Sequence, residues 1–440
     1  MKNKNIPELL SPAGNFQKLK YAFAYGADAV YAGVPKFSLR TRENDFNEKS
    51  LQSGIEYAHK LNKKIYLTLN IFAHNTKINS FLKELEKVIQ WHPDGLIMAD
   101  PGLVNIALKK YPEIPIHLST QANVTNWTTV MFWRDLGVKR IILSRELSIK
   151  EIREIHENVP DIELECFVHG AICIAYSGRC LITNYMNHRD ANQGTCTNSC
   201  RWQYTVEEDT GSLLEQENSQ ISAYSSGRPV PENITVREEH RPEEKFSLRE
   251  DEFGTYMFNS KDLCAIELLK DLNDSGVISF KIEGRTKSEY YAAMVTRTYR
   301  SAIDDMMKGK PFNQKHINDL NALSNRGYTT GFYTRNPREF GENYEDARSL
   351  ERTHKVVGID CRYHIETDIL TFETKNKICS GTEIEVITPT GTELFLIQKL
   401  YDEKNNILNA GHGGAGRCGI NYPVNPGEFA ILRRKLYDDE

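Results

Sequence analysis

The first three quarters of the chain alternate short apolar runs with segments in which apolar residues recur every three or four positions. Short apolar runs predict buried strands, and the longer periodicity predicts amphipathic helices packed beside them. The predicted strands lie near residues 8–10, 29–32, 64–70, 95–98, 116–119, 140–143, 162–167 and 277–282. The predicted helices between them lie near residues 15–25, 48–62, 77–90, 101–110, 127–135 and 148–157.

This alternation predicts parallel strands joined by helical crossovers. Eight strands favour an α/β fold of the (β/α)8 or TIM type, in a regular or an irregular form, with a doubly wound open sheet as the alternative. We expect the barrel to comprise residues 1–204 and 256–335. Residues 205–255 carry many charges and little apolar periodicity, which indicates an inserted polar segment with a few short hairpin strands. A longer helix is expected at 286–308, with Thr286 as its N-cap.

The last part of the chain changes to alternation with a period of two, as in T-E-I-E-V-I-T. That pattern predicts strands, and we expect residues 345–440 to form a small C-terminal all-β barrel domain. Basic residues in this region could contact phosphate or could be ordinary surface residues. They are Arg417, Arg433, Arg434 and Lys435.

Polar residues follow nearly all of the eight predicted strands, where a (β/α)8 barrel carries its chemistry. The candidates at these strand ends are Arg40, Asn70, Gln121, Arg145, His169, Lys281, Glu283 and Arg285. Lys281 and Glu283 alternate with apolar neighbours, so an ion pair between them inside the barrel is an alternative to a catalytic role. A Gly- and Thr-rich turn is expected to bring Arg326 back to the same end.

Composition describes an ordinary globular protein, with 40% apolar and 26% charged residues. No apolar run approaches the ~20 residues that span a bilayer, so no membrane association is expected. The N-terminal residues lack a charged-then-apolar signal pattern, which favours a cytoplasmic location. The net charge of −5 gives no global attraction to nucleic acid, so any RNA surface must be a local basic patch.

Four of the nine cysteines fall between residues 167 and 202, at Cys173, Cys180, Cys196 and Cys200. Disulfides are typical of small secreted domains that lack a core, which this chain does not resemble. Zinc and iron–sulfur clusters both take soft thiolates, but zinc sites usually pair ligands two to four residues apart, twice over. The wider spacing here favours an iron–sulfur cluster, with zinc and ordinary buried cysteines as alternatives. Cys264 is a reserve ligand.

The run H-G-A-I-C-I-A-Y-S-G-R-C from His169 to Cys180 resembles the signature of the collagenase-like peptidase family, peptidase family U32. Other segments agree with that family across nearly the whole chain. They are E-L-L-S-P-A-G-N at 8–15, N-Q-G-T-C-T-N-S-C-R-W at 192–202, N-S-K-D-L at 259–263, S-F-K-I-E-G-R at 279–285 and R-G-Y-T-T-G-F at 326–332.

The resemblance implies a protein with an iron–sulfur cluster, of the 4Fe-4S type, that helps to install 5-hydroxyuridine at the wobble position of the tRNA anticodon loop. It also implies prephenate as the oxygen donor and co-substrate. Arginines hold carboxylates in a bidentate manner, so the candidates for binding this donor are Arg40, Arg145 and Arg285. The remaining candidates for substrate binding are Asn70, Gln121, Arg179 and Trp202. His169, Lys281 and Glu283 are the candidates for catalysis.

A flipped uridine would stack on an aromatic side chain, for which Phe37, Tyr176 and Trp202 are the candidates. Two other functions remain open. A peptidase needs a nucleophile and a base or a hydrolytic metal, yet the chain has no H-E-x-x-H or G-x-S-x-G motif, and only Cys173 near His169 is a candidate pair. A non-catalytic iron–sulfur protein with an RNA-binding or assembly role would use the same cysteines without a donor pocket.

Overall fold

A computed structural model describes residues 6–39, 45–173, 175–187, 189–196, 234–238, 241–251, 254–256, 261–334 and 353–436. Only the backbone is described for residues 185–187 and for the three segments between 234 and 256.

Parallel strands dominate the N-terminal region. In chain order its strands are β1 Glu8–Ala13, β2 Ala29–Gly33, β3 Lys64–Leu69, β4 Gly95–Met98, β5 Ile116–Leu118, β6 Arg140–Ile142, β7 Glu163–Ala171, β8 Ile234–Glu238, β9 Arg241–Asp251, β10 Gly254–Tyr256, β11 Asp262–Cys264, β12 Val277–Ile282 and β13 Tyr328–Thr329. Strands β1 to β7 pair in parallel in sequence order, and β12 pairs in parallel with both β1 and β7. The sheet is therefore closed, which confirms the TIM-like barrel and excludes the open sheet.

Six helices lie between the strands close to the predicted places, as does the longer helix after the last barrel strand, whereas two short helices, at 182–187 and 269–274, were not predicted. The described helices are α1 Phe16–Ala24, α2 Glu48–Lys60, α3 Asn75–Ile89, α4 Pro101–Lys110, α5 Trp127–Asp135, α6 Ile149–Asn158, α7 Ile182–Asn187, α8 Leu269–Asp274, α9 Glu289–Met307 and α10 Lys315–Asn321. Side-chain caps define several of their starts, as when Asn15 accepts from the Lys18 amide. The predicted cap of α9 is wrong. Ser288 caps it, because the Lys287 amide bonds to the Gly284 carbonyl and keeps Thr286 in a turn.

Strand β7 is longer than predicted and makes the barrel irregular. Its last residues pass the barrel rim and pair antiparallel with β11, which pairs in parallel with β13. In this pairing Ala171 lies opposite Asp262, so the long excursion after β7 returns to the point where it left. Strands β8, β9 and β10 lie within that excursion, in the predicted inserted segment, and form a three-stranded antiparallel sheet.

The C-terminal region is antiparallel and all-β, as predicted. Its strands are β14 His354–His364, β15 Ile369–Thr374, β16 Ile378–Cys379, β17 Glu383–Ile387, β18 Thr392–Leu396, β19 Leu400–Tyr401, β20 Ile407–Leu408, β21 Ala410–Gly411, β22 Arg417–Asn421 and β23 Ile431–Lys435. Eight of them form one sheet in the order β18-β17-β23-β14-β15-β22-β19-β20. Val357, Leu370, Phe372 and Leu432 are fully buried within it and form part of a second core.

Directional contacts join this domain to the barrel through α1 and α9. The Tyr25 hydroxyl donates to the carbonyl of Phe429 at 2.9 Å, and the Arg297 guanidinium donates to the carbonyls of Thr388 and Gly391. Arg433 is buried here, bonded to Glu385 at 2.6 Å, so it is not available for the phosphate contact considered above. None of the described helices is both long enough and apolar enough to cross a bilayer.

Candidate active site

A cavity of about 240 Å³ lies at the carboxyl ends of the barrel strands. Ten of the candidate residues named from the sequence line it. They are Asn70, Gln121, Arg145, Cys173, Tyr176, Cys180, Cys196, Lys281, Glu283 and Arg285. The barrel thus brings polar strand ends and three of the clustered cysteines to one space.

Two cations lie over aromatic rings at this cavity. The Lys281 ammonium lies 4.4 Å from the centre of the Tyr31 ring, and the Arg145 guanidinium carbon lies 4.0 Å from that of Phe167. Contacts of this kind favour cations and hold them in place. The arrangement fixes two cationic side chains beside a partly apolar space, a combination that can bind a small organic acid.

Glu165 is the buried partner of Lys281. It is fully buried, accepts from Lys281 Nζ at 2.8 Å and also pairs with Arg140 at 3.1 Å. Burial opposes its ionisation, but the charges of Lys281 and Arg140 and a hydrogen bond from Ser279 outweigh that effect and lower the pKa of Glu165. Burial lowers the pKa of Lys281, and Glu165 offsets part of this. The sequence-based alternative of a Lys281–Glu283 pair is therefore wrong.

The buried charges continue toward the other end of the barrel. Arg140 also contacts Glu8 at 2.6 Å and Glu163 at 2.9 Å. Sequence reasoning missed this network, although one signal was present. Glu163 and Glu165 alternate with Leu164 and Cys166, which places both acids on the same side of a barrel strand.

Arg145 and Arg285 differ in their surroundings. Arg145 pairs with Glu283 at 3.2 Å, while its buried Nε has no hydrogen-bond partner in the described part of the chain. Arg285 donates to the Thr68 hydroxyl at 2.9 Å and to the Leu39 carbonyl at 2.5 Å. Arg285 therefore fixes the loop after β2, and Arg145 is the better placed of the two for a ligand.

Asn70 orients the amide of Gln121. Asn70 Oδ1 accepts from the Leu39 amide at 3.1 Å, and its Nδ2 donates to Gln121 Oε1 at 2.7 Å. Gln121 Nε2 is then a buried donor without a hydrogen-bond partner among the described residues. Buried polar groups rarely stay unsatisfied, so this donor indicates an acceptor on a bound ligand.

The cysteine loop is tied down over the mouth. Ser177 donates to Glu146 Oε1 through its amide at 2.8 Å and its hydroxyl at 3.1 Å. Gly178 has φ +74°, and a Cβ there would lie 2.1 Å from the Gln121 carbonyl oxygen, so this close approach requires glycine. These contacts hold the loop against the ends of β5 and β6.

Three of the four clustered cysteines share one space in the described part of the chain. Three thiols line one cavity, and burial followed by the charges of Cys173 and Cys196 raises the pKa of Cys180. Soft thiolates from separated positions are the ligands such clusters take. Across the described residues, no three His, Cys, Asp or Glu side chains are arranged to hold a single metal ion. Cys200 lies outside the described residues.

Two of the candidates are behind the wall of the cavity rather than in its lining. His169 is 1% exposed and packs among tyrosine rings, with Nδ1 3.4 Å from the Tyr299 hydroxyl. Burial, with a smaller contribution from Lys287, lowers its pKa to about 3. Cys264 lies opposite His169 on β11, and burial raises its pKa to about 11. The structure therefore does not bring His169, one of the three catalytic candidates, or Cys264, the reserve ligand, to the cavity.

The other candidates divide between the site, the core and the surface. Arg179 is exposed on the loop and is not part of the lining. Phe37 is buried against Phe81, whereas Tyr176 is 60% exposed and lines the cavity. The turn at 326–332 does return to the mouth, but it contributes Phe332 instead of Arg326. Arg40 and Trp202 lie outside the described residues.

Fold and site together define a TIM-type barrel with a thiol-bearing loop over its mouth and an appended all-β domain. The family model described as peptidase family U32 matches residues 14–343, and that of its C-terminal domain matches residues 352–433. The chain belongs to this family.

Several relatives carry names that refer to RNA, and two of them match this chain over nearly their whole length. The tRNA hydroxylation protein P of Haemophilus influenzae is 46% identical over 98% of this chain and 96% of its own length. The protein of the same name from Escherichia coli is 47% identical over 91% of this chain and 90% of its own length. A 23S rRNA 5-hydroxycytidine synthase of Escherichia coli is 32% identical over 68% of this chain and 40% of its own length.

Proposed function

We propose that this chain is a cytoplasmic tRNA-modifying enzyme that converts the wobble uridine of the anticodon loop to 5-hydroxyuridine. Support comes from full-length relatives named for tRNA hydroxylation and from a further relative named for hydroxylation of an rRNA base. Replacing C5–H by C5–OH is a two-electron oxidation, so a co-reactant must supply oxygen and oxidising capacity. The proposal assigns that role to prephenate, which would give up one oxygen atom and so be reduced by the two electrons that the uridine loses.

The cavity suits a small dicarboxylate with a ring. Arg145 and Lys281 supply positive charge, and Gln121 Nε2 supplies an oriented donor. Ile97, Ile142 and the Tyr31 ring supply apolar surface at the same cavity. Preorganised charge of this kind binds carboxylates at little reorganisation cost.

The proposal places a 4Fe-4S cluster on Cys173, Cys180, Cys196 and Cys200. A bound cluster would supply redox or Lewis-acid chemistry beside the donor. The chain's own residues would bind and orient the reactants. Lys281, held by Glu165, and Arg145 would hold the donor, and the exposed Tyr176 ring would stack on the target base. Glu283, within reach of Arg145, is the candidate for proton transfer.

The observation that carries this proposal is the meeting of three thiols and two oriented cations at one cavity. A peptidase gains no comparable support, because in the described chain His169 is not part of the cavity that Cys173 lines. The resulting hypothesis concerns an oxidation and not a hydrolysis.

The test is expression of the chain in a bacterial host that lacks its own tRNA hydroxylation proteins, followed by mass analysis of tRNA nucleosides. We expect 5-hydroxyuridine with the wild-type chain and none with Cys180→Ser. Iron and sulfide analysis after anaerobic purification should give about four irons for the wild type and far fewer for Cys180→Ser. Cys264→Ser is the matched control, and it should retain iron. Normal iron but no 5-hydroxyuridine in the wild type would refute the assigned reaction.

A further inference from the structure

A second cavity, of about 480 Å³, lies between the barrel and the C-terminal domain. Lys287, Ser288 and Tyr291 form part of its barrel wall, at the start of α9. Lys355 and Lys375 are part of the opposite wall, beside β14 and β15. We refer to this space as the interdomain cleft.

The interdomain cleft carries positive charge on a protein whose net charge is −5. Among the described residues of its lining, three are lysines and one, Glu289, is an acid. Glu373 contacts Lys375 at 2.6 Å, but both side chains are well exposed and such pairs are weak. The first turn of α9 adds the positive end of its helix dipole to the same wall. This is the kind of local basic surface that RNA binding requires on an acidic protein.

The cleft is connected to the candidate active site through a single turn. Tyr291 lines the cleft, and its hydroxyl donates at 2.9 Å to the carbonyl of Glu283. The side chain of Glu283 lines the barrel cavity. The connection between β12 and α9 therefore borders both spaces, so a polynucleotide whose base enters the cavity would extend toward the cleft.

The walls of the cleft are fixed relative to each other. Tyr25 and Arg297 bond to carbonyls of the C-terminal domain, and Arg433 donates to the Tyr290 hydroxyl at 2.7 Å. Tyr290 itself lines the cleft. A preformed basic space needs no ordering when a ligand binds, which favours affinity.

From these observations we infer that the interdomain cleft binds the sugar–phosphate backbone of the RNA substrate next to the nucleotide held in the barrel mouth. This inference rests on the proposed function for the identity of the partner. It gives the C-terminal domain a role in holding RNA, with Lys287 and Lys355 contacting phosphates from opposite walls.

The experiment measures binding of a labelled, unmodified tRNA transcript to the full-length protein without any donor, over a range of salt concentrations. The test variant is Lys287→Gln with Lys355→Gln. The matched control is Lys60→Gln with Lys109→Gln, exposed lysines at the ends of α2 and α4 that are not part of the cleft lining. Both double variants have the same net charge, so a difference between them reports position.

We expect the cleft variant to bind tRNA roughly tenfold more weakly than the wild type. The slope of log K against log salt concentration should become less steep by about one unit per lysine replaced. The control pair should stay close to wild type, and Lys287→Arg with Lys355→Arg should retain binding. Equal losses in the cleft and control variants would overturn the inference, as would failure of the arginine variant or of the wild type to bind tRNA.

The same measurements separate this inference from the proposed reaction. If tRNA binds and the cleft lysines matter, but no hydroxylation occurs, only the proposed reaction fails. If hydroxylation occurs and the cleft variant binds tRNA like the control, only the cleft inference fails.

Discussion

Lys281 Nζ lies 2.8 Å from Glu165 Oε1, and both side chains are buried inside the barrel. Most barrels of this type fill the interior with branched apolar side chains. Here a carboxylate instead holds the lysine that reaches the active-site cavity. Removing one partner leaves a buried charge without compensation, and such losses are large.

Glu165→Gln should therefore destabilise the protein by about 3 kcal/mol at neutral pH, measured by urea denaturation. Because the pKa of Glu165 is lowered in the folded state, its contribution is complete above the ordinary carboxyl range and is lost as the pH falls below it. Glu163→Gln is the matched control on the same strand, since Glu163 also contacts Arg140 but is 28% exposed. It should cost less than about 1 kcal/mol. Similar costs for both variants would contradict the central role of Glu165.

The Asn70–Gln121 bond makes a separate prediction about ligand binding. An aspartate at position 70 cannot donate to Gln121 Oε1, so the Gln121 amide should turn and present an oxygen to the ligand. We expect Asn70→Asp to raise KM for the acidic donor about ten- to a hundredfold, with a smaller change in kcat.

Asn123→Asp is the matched control for this change. Asn123 bonds to the Ser144 hydroxyl nearby, but its side chain is not part of the cavity lining. The same isosteric change there should leave KM close to wild type. An unchanged KM in Asn70→Asp would show that the orientation of Gln121 does not matter for binding.

Arg145 should be required for the donor and not for the cluster. Truncating one partner of a buried charge contact costs several kcal/mol, so Arg145→Ala should lower donor-dependent hydroxylation about a hundredfold while iron content stays constant. Arg134→Ala removes an arginine from α5 that pairs with Asp135 and Asp161 on the outside of the barrel, and it should have no such effect. Full activity in Arg145→Ala would remove Arg145 from the donor site.

His169 should affect acid stability. Its pKa of about 3 lies below the ordinary value of 6.5, so between these values the unfolded chain binds a proton that the folded chain excludes. Stability conferred by neutral His169 is then lost as the pH falls below 6.5, at about 1.4 kcal/mol per unit. The stability difference between wild type and His169→Asn should shrink by about 2 kcal/mol from pH 6.5 to pH 5.

His92→Asn provides the comparison, because His92 is exposed at the surface. Its stability should follow the wild-type pH dependence throughout. A constant difference between wild type and His169→Asn would mean that His169 is not held neutral by burial.

The barrel was predictable because its signals are local. Each strand is a short apolar run and each helix has a regular period, so the bounds of β4 and α4 follow directly from the pattern. Polar strand ends such as Asn70, Gln121 and Arg145 converge because all parallel strands end on one face. The position of the cysteine loop at this face was predictable for the same reason, because the loop begins at the carboxyl end of β7.

What could not be predicted depends on partners that are distant in sequence. The pairing of Lys281 with Glu165 depends on barrel register, and the burial of His169 depends on tyrosines that α9 and β13 supply. The burial of Phe37 has the same cause, because its contact with Phe81 comes from a helix that the local pattern does not connect to it.

The antiparallel pairing of Ala171 with Asp262 has a consequence for how such a protein can change. The backbone departs and re-enters at neighbouring positions, so the barrel closes independently of what lies between them. Loop-closure entropy grows only with the logarithm of length, so added or deleted residues in that excursion impose a small penalty on the scaffold. The segment between Ala171 and Asp262, which contains Cys173, can thus change in length and sequence while the barrel strands keep their geometry.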